Sequence, residues 1–177
     1  MKTRVLVAYA SKYGSTKEVA ESIADTLKEN GLAVDLKPSR EVRSLEEYTA
    51  VVLGAPLYMI HWHKDAHKFL SWHRETLINL PVAVFALGPL DDKEEEWKEV
   101  RSQLEKELAK FSWLKPVAVE VFGGKFDPKN LRFPDNLLAR LPASPIHDMP
   151  ARDTRDWDAI RAWARSLASR FQPVLPE

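Results

Sequence analysis

The sequence predicts an α/β fold, a five-stranded parallel sheet covered by helices on both faces, and three observations predict it. Short apolar runs recur along the chain, segments with helical periodicity fill the gaps, and the two alternate strictly as far as residue 122. The runs are continuous rather than alternating, as strands buried on both faces of a parallel sheet must be.

Val5 to Tyr9 is the first such run, and it predicts a central strand. After a turn at Gly14, Ser15 or Thr16 is placed to cap a helix whose apolar positions Val19, Ala20, Ile23, Ala24 and Leu27 recur at helical spacing, with Gly31 ending it. Ala33 to Lys37 alternates apolar with charged residues, as a strand nearer the edge does, and the connection after Pro38 has room for one helical turn. Val51 to Ala55 and Val82 to Leu87 are two more buried strands, separated by a helix-length segment from about His63 to Asn79. A charged amphipathic helix follows from about Asp92 to Phe111, and the acidic run Asp91 to Glu96 suits its N-terminus, where negative charge is favoured. Val117 to Phe122 is the fifth strand, and Thr154 to Phe171 the last helix.

Right-handed crossovers leave few ways to connect these elements, and the order 2-1-3-4-5 is the expectation. It sets the ligand crevice at the carboxyl ends of strands 1 and 3, so that the loops 11–16 and 56–62 face each other. Residues 123–150 break the alternation with Gly123-Gly124, five prolines and the apolar stretch Leu137 to Leu141. They are expected to form a Pro-rich insertion before the last helix, within a single domain spanning 1–177.

Composition narrows the function. Lys+Arg and Asp+Glu number 26 each, so no global field draws the chain to nucleic acid. With no cysteine there is no disulfide, thiolate nucleophile or Cys-ligated metal, and redox chemistry needs a borrowed cofactor. The N-terminus lacks a signal-peptide core, and no apolar run approaches the roughly 20 residues that span a bilayer. The expected location is cytoplasmic.

The loop Ser11-Lys12-Tyr13-Gly14-Ser15-Thr16 joins a buried strand to a helix start, which offers free amides and a positive dipole end to an anion. Its hydroxyls either add donors to that site or merely cap the helix. The loop resembles the flavodoxin phosphate loop, Ser/Thr-x-Thr-Gly-x-Thr, with Tyr13 where that family usually has Thr. Its Lys-Tyr-Gly-Ser-Thr form is similar to that of the flavodoxin-domain proteins related to protoporphyrinogen dehydrogenase.

The resemblance implies a flavodoxin-like three-layer sandwich and FMN as cofactor, its phosphate held by Ser11, Lys12, Tyr13, Gly14, Ser15 and Thr16. It further implies that Pro56, Leu57, Tyr58 and Met59 flank the isoalloxazine ring and that Leu87, Gly88 and Pro89 close over its opposite edge. Tyr58 and Trp62 are the stacking candidates, although Trp62 and Ile60 read equally well as core residues beneath the next helix. Gly88 admits close approach of a ligand, and Gly-Pro also marks any turn.

His61, His63 and His67 have a spacing that a metal can use, but Lys64 and Lys68 oppose a cation, so a solvated helix face is preferred and no metal is expected. His61 lies in the flavin loop and is the one weak catalytic candidate, as a proton carrier; packing is the alternative.

Gly123-Gly124-Lys125-Phe126-Asp127 and Arg155-Asp156-Trp157-Asp158-Ala159-Ile160 resemble the C-terminal third of menaquinone-dependent protoporphyrinogen dehydrogenases. That resemblance implies an FMN oxidoreductase that takes hydrogen from a porphyrinogen, passes electrons to a quinone and meets the membrane peripherally. The insertion departs from the family in its prolines and balanced charge. Two other classes stand beside this one. A flavodoxin-type electron carrier is usually acidic around its flavin, and this chain is neutral. A cofactor-free interaction module has no use for an intact hydroxyl-and-glycine loop.

Overall fold

The computed structural model describes residues 2–58 and 61–173. In chain order the elements are β1 (Arg4–Tyr9), α1 (Ser15–Glu29), β2 (Ala33–Pro38), β3 (Ala50–Tyr58), β4 (His61–Trp62), α2 (Lys64–Trp72), α3 (Arg74–Leu77), β5 (Val82–Leu87), α4 (Glu94–Ala109), β6 (Ala118–Phe122), β7 (Lys125–Phe126), α5 (Asp135–Leu138), β8 (Arg152–Asp153) and α6 (Trp157–Phe171). A single 3₁₀ turn, Ser39–Glu41, fills the connection after Pro38, and another spans Pro128–Asn130.

The parallel strands lie in the order β2-β1-β3-β5-β6, which is the expected 2-1-3-4-5 counted over parallel strands alone. Successive residues of a strand face opposite sides, so β1 sends Leu6 and Ala8 to one layer and Val5 and Val7 to the other. The first layer packs under α2 and α4 through Phe69, Leu70 and Leu104; the second packs under α1 and α6 through Ile23, Leu27, Ile160 and Leu167. Every residue of β5 is buried, as its uninterrupted apolar sequence requires.

The structure departs from the sequence reading where side chains met local chemistry. Pro56, Leu57 and Tyr58 continue β3 rather than forming a loop, and β3 turns back on β4 with Leu57 opposite Trp62 and Tyr58 opposite His61. The segment expected as one helix from His63 to Asn79 is broken at His73 into α2 and α3. The last helix starts at Trp157, three residues later than expected, because the Asp156 carboxylate accepts from the Ala159 amide at 3.0 Å and caps it there. Neither Ser15 nor Thr16 caps α1: Gly14 holds the cap position at φ 89°, and no side chain bonds the freed amides.

The insertion leaves the sheet and returns through a neck, β7 paired antiparallel with β8. Its apolar stretch forms only the short α5, and Phe133, Leu137, Leu138 and Leu141 stand exposed. Among the described residues no helix is long and apolar enough to cross a membrane.

Candidate functional site

The loop between β1 and α1 is shaped by Gly14, whose left-handed backbone admits few other residues. The Gly14 amide donates to Ser11 Oγ at 2.9 Å, which folds the loop on itself. The first intrahelical bond of α1 runs from the Glu18 amide to the Gly14 carbonyl, leaving the amides of Ser15, Thr16 and Lys17 without a carbonyl inside the helix. Thr16 is fully buried, and its hydroxyl has no partner among the described residues. A buried, unpartnered hydroxyl costs about 1–3 kcal/mol, and this one sits in the first turn of α1 beside the free amides. The donor set of amides and hydroxyls fits a phosphate monoester.

A cleft of about 990 Å³ opens beside the loop, at the upper end of the usual range for cofactor pockets, roughly 300–1,000 Å³. Ser11, Lys12, Tyr13 and Ser15 line it from the loop, Pro56, Leu57, Tyr58 and His61 from the β3–β4 hairpin, and Leu87 and Gly88 from the end of β5. The facing of loops 11–16 and 56–62 that the strand order required is therefore present. A second hollow of about 430 Å³, beside Leu77, Trp113 and Lys115, shares no residue with these loops.

Some of the sequence-derived residues stand elsewhere. Pro89 is outside the cleft lining; its carbonyl accepts from the Gly124 amide at 2.7 Å and the Thr154 hydroxyl at 2.6 Å. Gly88 touches the cleft, but a Cβ there would come within 2.6 Å of Val100 in α4, so packing already demands glycine. Trp62 edges the cleft yet is only 2% exposed, and its indole N–H donates to the Ala55 carbonyl at 3.1 Å, the geometry of a core residue. Met59 and Ile60 lie outside the described residues.

The histidines diverge. His61 is exposed on β4, His63 caps α2 by accepting the Asp65 amide, and His67 Nε2 lies 2.6 Å from the Glu107 carboxylate. Burial, helped by Lys64 and Lys12, lowers the His63 pKa against the pull of Asp65 and keeps it neutral for that cap. Among the described residues no three His, Asp or Glu side chains gather as a metal site.

The sequence reading missed Asp135. Although α5 is exposed, Asp135 is 2% exposed and accepts hydrogen bonds from the Lys12 ammonium and the Tyr13 hydroxyl, more than a hundred residues away. Burial alone would raise its pKa; Lys12 and Tyr13 outweigh that and hold it below the ordinary carboxylate value. Burial and the same carboxylate raise the pKa values of Tyr13 and Tyr58, so both keep their protons. The Tyr58 hydroxyl senses the Asp135 charge but meets it outside hydrogen-bond geometry. The Lys12 ammonium also sits 4.7 Å from the Tyr58 ring centre.

Charge in the cleft is one-sided. Arg40, Lys64, Lys125 and Arg132 line it and make no ion pair among the described residues, against a single lining carboxylate, Asp65. They come from separate parts of the chain, and no local pattern in the sequence groups them.

Known proteins share this architecture. A short-chain flavodoxin associated with a non-canonical PDU bacterial microcompartment superposes with a TM-score of 0.61 at 15% identity, covering 96% of this chain and 99% of that one. Oxidised flavodoxin 2 from Bacillus cereus gives 0.58 at 20%, covering 95% and 99%. In sequence the chain is 27% identical over 176 residues to the protoporphyrinogen IX dehydrogenase [quinone] of Escherichia coli strain K12, covering 93% of this chain and 94% of that protein. The flavodoxin domain family model matches residues 6–147, from the first strand through the loop that leaves Thr16 unpartnered and on into the insertion, and the chain therefore belongs to the flavodoxin-domain family.

Proposed function

We propose that this protein is a cytoplasmic FMN-dependent oxidoreductase, working as one domain, that oxidises an anionic organic substrate of the porphyrinogen type and delivers electrons to a quinone. One observation carries the reading. The cleft beside the phosphate loop is lined by four cations that make no ion pair among the described residues, Arg40, Lys64, Lys125 and Arg132. A diffusing flavodoxin-type carrier is steered to basic partners by an acidic rim, and here the rim has the opposite sign.

When bound, FMN supplies one- and two-electron redox chemistry that no side chain of this chain offers. The amides and hydroxyls of Ser11 to Thr16 would hold its phosphate, with Lys12 and Tyr13 oriented by Asp135. Pro56, Leu57 and Tyr58 would flank the ring on one side, and Leu87 and Gly88 would follow its edge. The four cations orient substrate carboxylates. Exposed His61 is the side chain placed to move a proton at the cleft mouth. The exposed Phe133, Leu137, Leu138 and Leu141, close in sequence to Arg132 and Arg140, give the insertion a face suited to a quinone-bearing lipid surface.

The test is anaerobic. Protein loaded with FMN should lose its visible flavin absorbance on adding protoporphyrinogen and regain it on adding a menaquinone analogue. A retained flavin that porphyrinogen leaves oxidised points to the electron-carrier reading. Protein that retains no FMN after gel filtration leaves only the interaction module.

A further inference from the structure

The short helix α5 is built inside out. Its apolar residues Leu137 and Leu138 are exposed, at 48% and 36%, while its one carboxylate, Asp135, is buried at 2%. Apolar burial therefore does not fasten α5 to the domain. The ends of the insertion are tied elsewhere, by Thr154 on the Pro89 and Gly124 carbonyls and by the buried Arg155 guanidinium on Glu18 and the Ser15 carbonyl. Between those ties, Leu131, Arg132 and Ile146 form the outer wall of the cleft. The Asp135 carboxylate ties this stretch into the phosphate loop through Lys12 and Tyr13.

We propose that Asp135 is a positioning residue of the cofactor site: by holding Lys12 and Tyr13 it pins the insertion against the phosphate loop and so keeps the outer wall of the cleft in place. The pin itself is independent of the ligand; its effect on a bound flavin rests on the FMN reading above. A buried carboxylate held this way loses its anchorage when its own charge or its donors are removed, and the segment then opens locally while the sheet stays folded. Lys12 is itself a phosphate-loop residue, so the flavin readout belongs to Asp135→Asn, which keeps Lys12 and frees its charge; that charge alone would tighten phosphate binding, opposite in sign to a loosened wall.

Limited trypsin digestion of FMN-free protein reads the pin directly, through the exposed Lys129, Arg132 and Arg140. Asp135→Asn should speed cleavage at these sites about tenfold, the scale of one charge-assisted hydrogen bond, with the thermal midpoint of the core retained. Lys12→Met should act in the same direction but by less, since Tyr13 still donates to Asp135, and adding it to Asp135→Asn should change little further. The FMN dissociation rate, followed by recovery of flavin fluorescence, should rise by a similar factor in Asp135→Asn. Cleavage at the wild-type rate in both single variants overturns the pin. Faster cleavage with an unchanged or slower FMN dissociation rate in Asp135→Asn overturns the positioning role. A wild-type protein that binds no FMN overturns the cofactor reading and the positioning role with it, and the digestion still decides the pin.

Discussion

The phosphate loop and α5 meet at one carboxylate, yet they are held in place by opposite means. The loop hangs between β1 and α1, both backed by apolar core, and two sets of its polar groups have no partner among the described residues: the Thr16 hydroxyl and the first amides of α1. The α5 segment turns its apolar side chains to solvent and is fixed by a buried charge. Sheet packing positions the first region whether or not a ligand is present. The second depends on the contacts of one carboxylate, which makes it the part of the molecule with the lower cost of opening.

Several changes separate these two kinds of support. The largest effect is expected in the sheet, where a Cβ on Gly54 would lie 1.9 Å from the fully buried Phe85 ring. Gly54→Ala should lower the free energy of unfolding by about 3 kcal/mol in a urea titration, at the upper end of overpacking costs. An unchanged midpoint would show that the core beneath the loop is looser than the packing implies.

Thr16→Val should act in two directions at once. Losing an unpartnered buried hydroxyl raises stability by about 1 kcal/mol, while FMN affinity falls about tenfold or more through the missing hydrogen bond. Fluorescence titration with FMN and thermal melting of the FMN-free protein check the two signs. A loss of stability would mean that the hydroxyl has a structural partner.

Proton uptake sharpens the contrast further. His63 and His73 have pKa values lowered chiefly by burial, so the unfolded chain binds more protons than the folded one once pH drops toward the ordinary histidine value. Stability should therefore decline as pH falls from about 7 to about 5. Asp135 behaves differently: its lowered carboxyl keeps its contribution above the unfolded value near 3.9 and gives it up only in stronger acid. Trypsin digestion in the insertion, corrected for the enzyme's own pH profile, should stay flat across that window while the melting midpoint moves.

The smallest effect belongs to the exposed face of the insertion. Phe133→Ser and Leu137→Ser should change the free energy of unfolding by less than about 0.5 kcal/mol, since neither side chain is buried. A larger loss in chemical denaturation would show that the face packs against something within the molecule.

What the sequence made legible follows the same division. The strands and the phosphate loop rest on contacts between near neighbours in the chain, or on apolar periodicity, and both leave a written pattern. Val5 to Tyr9, the Gly14 turn and the helix at Val19 to Leu27 were all visible that way. The boundaries moved where one side chain competed for the backbone, as when Asp156 fixed the start of α6. Asp135 left no pattern, because its meaning depends on Lys12 and Tyr13 more than a hundred residues earlier, and a lone Asp near a proline reads as a turn. The four cleft cations were hidden for the same reason: each is an ordinary surface residue until the fold brings it to one mouth.

The β7–β8 neck has a consequence of its own. It sets Lys125 opposite Asp153, and the Thr154 amide bonds the Gly124 carbonyl at 3.0 Å, so the two ends of the insertion are already joined before the loop begins. A segment closed at its base behaves as an exchangeable cassette: changing its length alters the entropy of closure only logarithmically and leaves the strand register untouched.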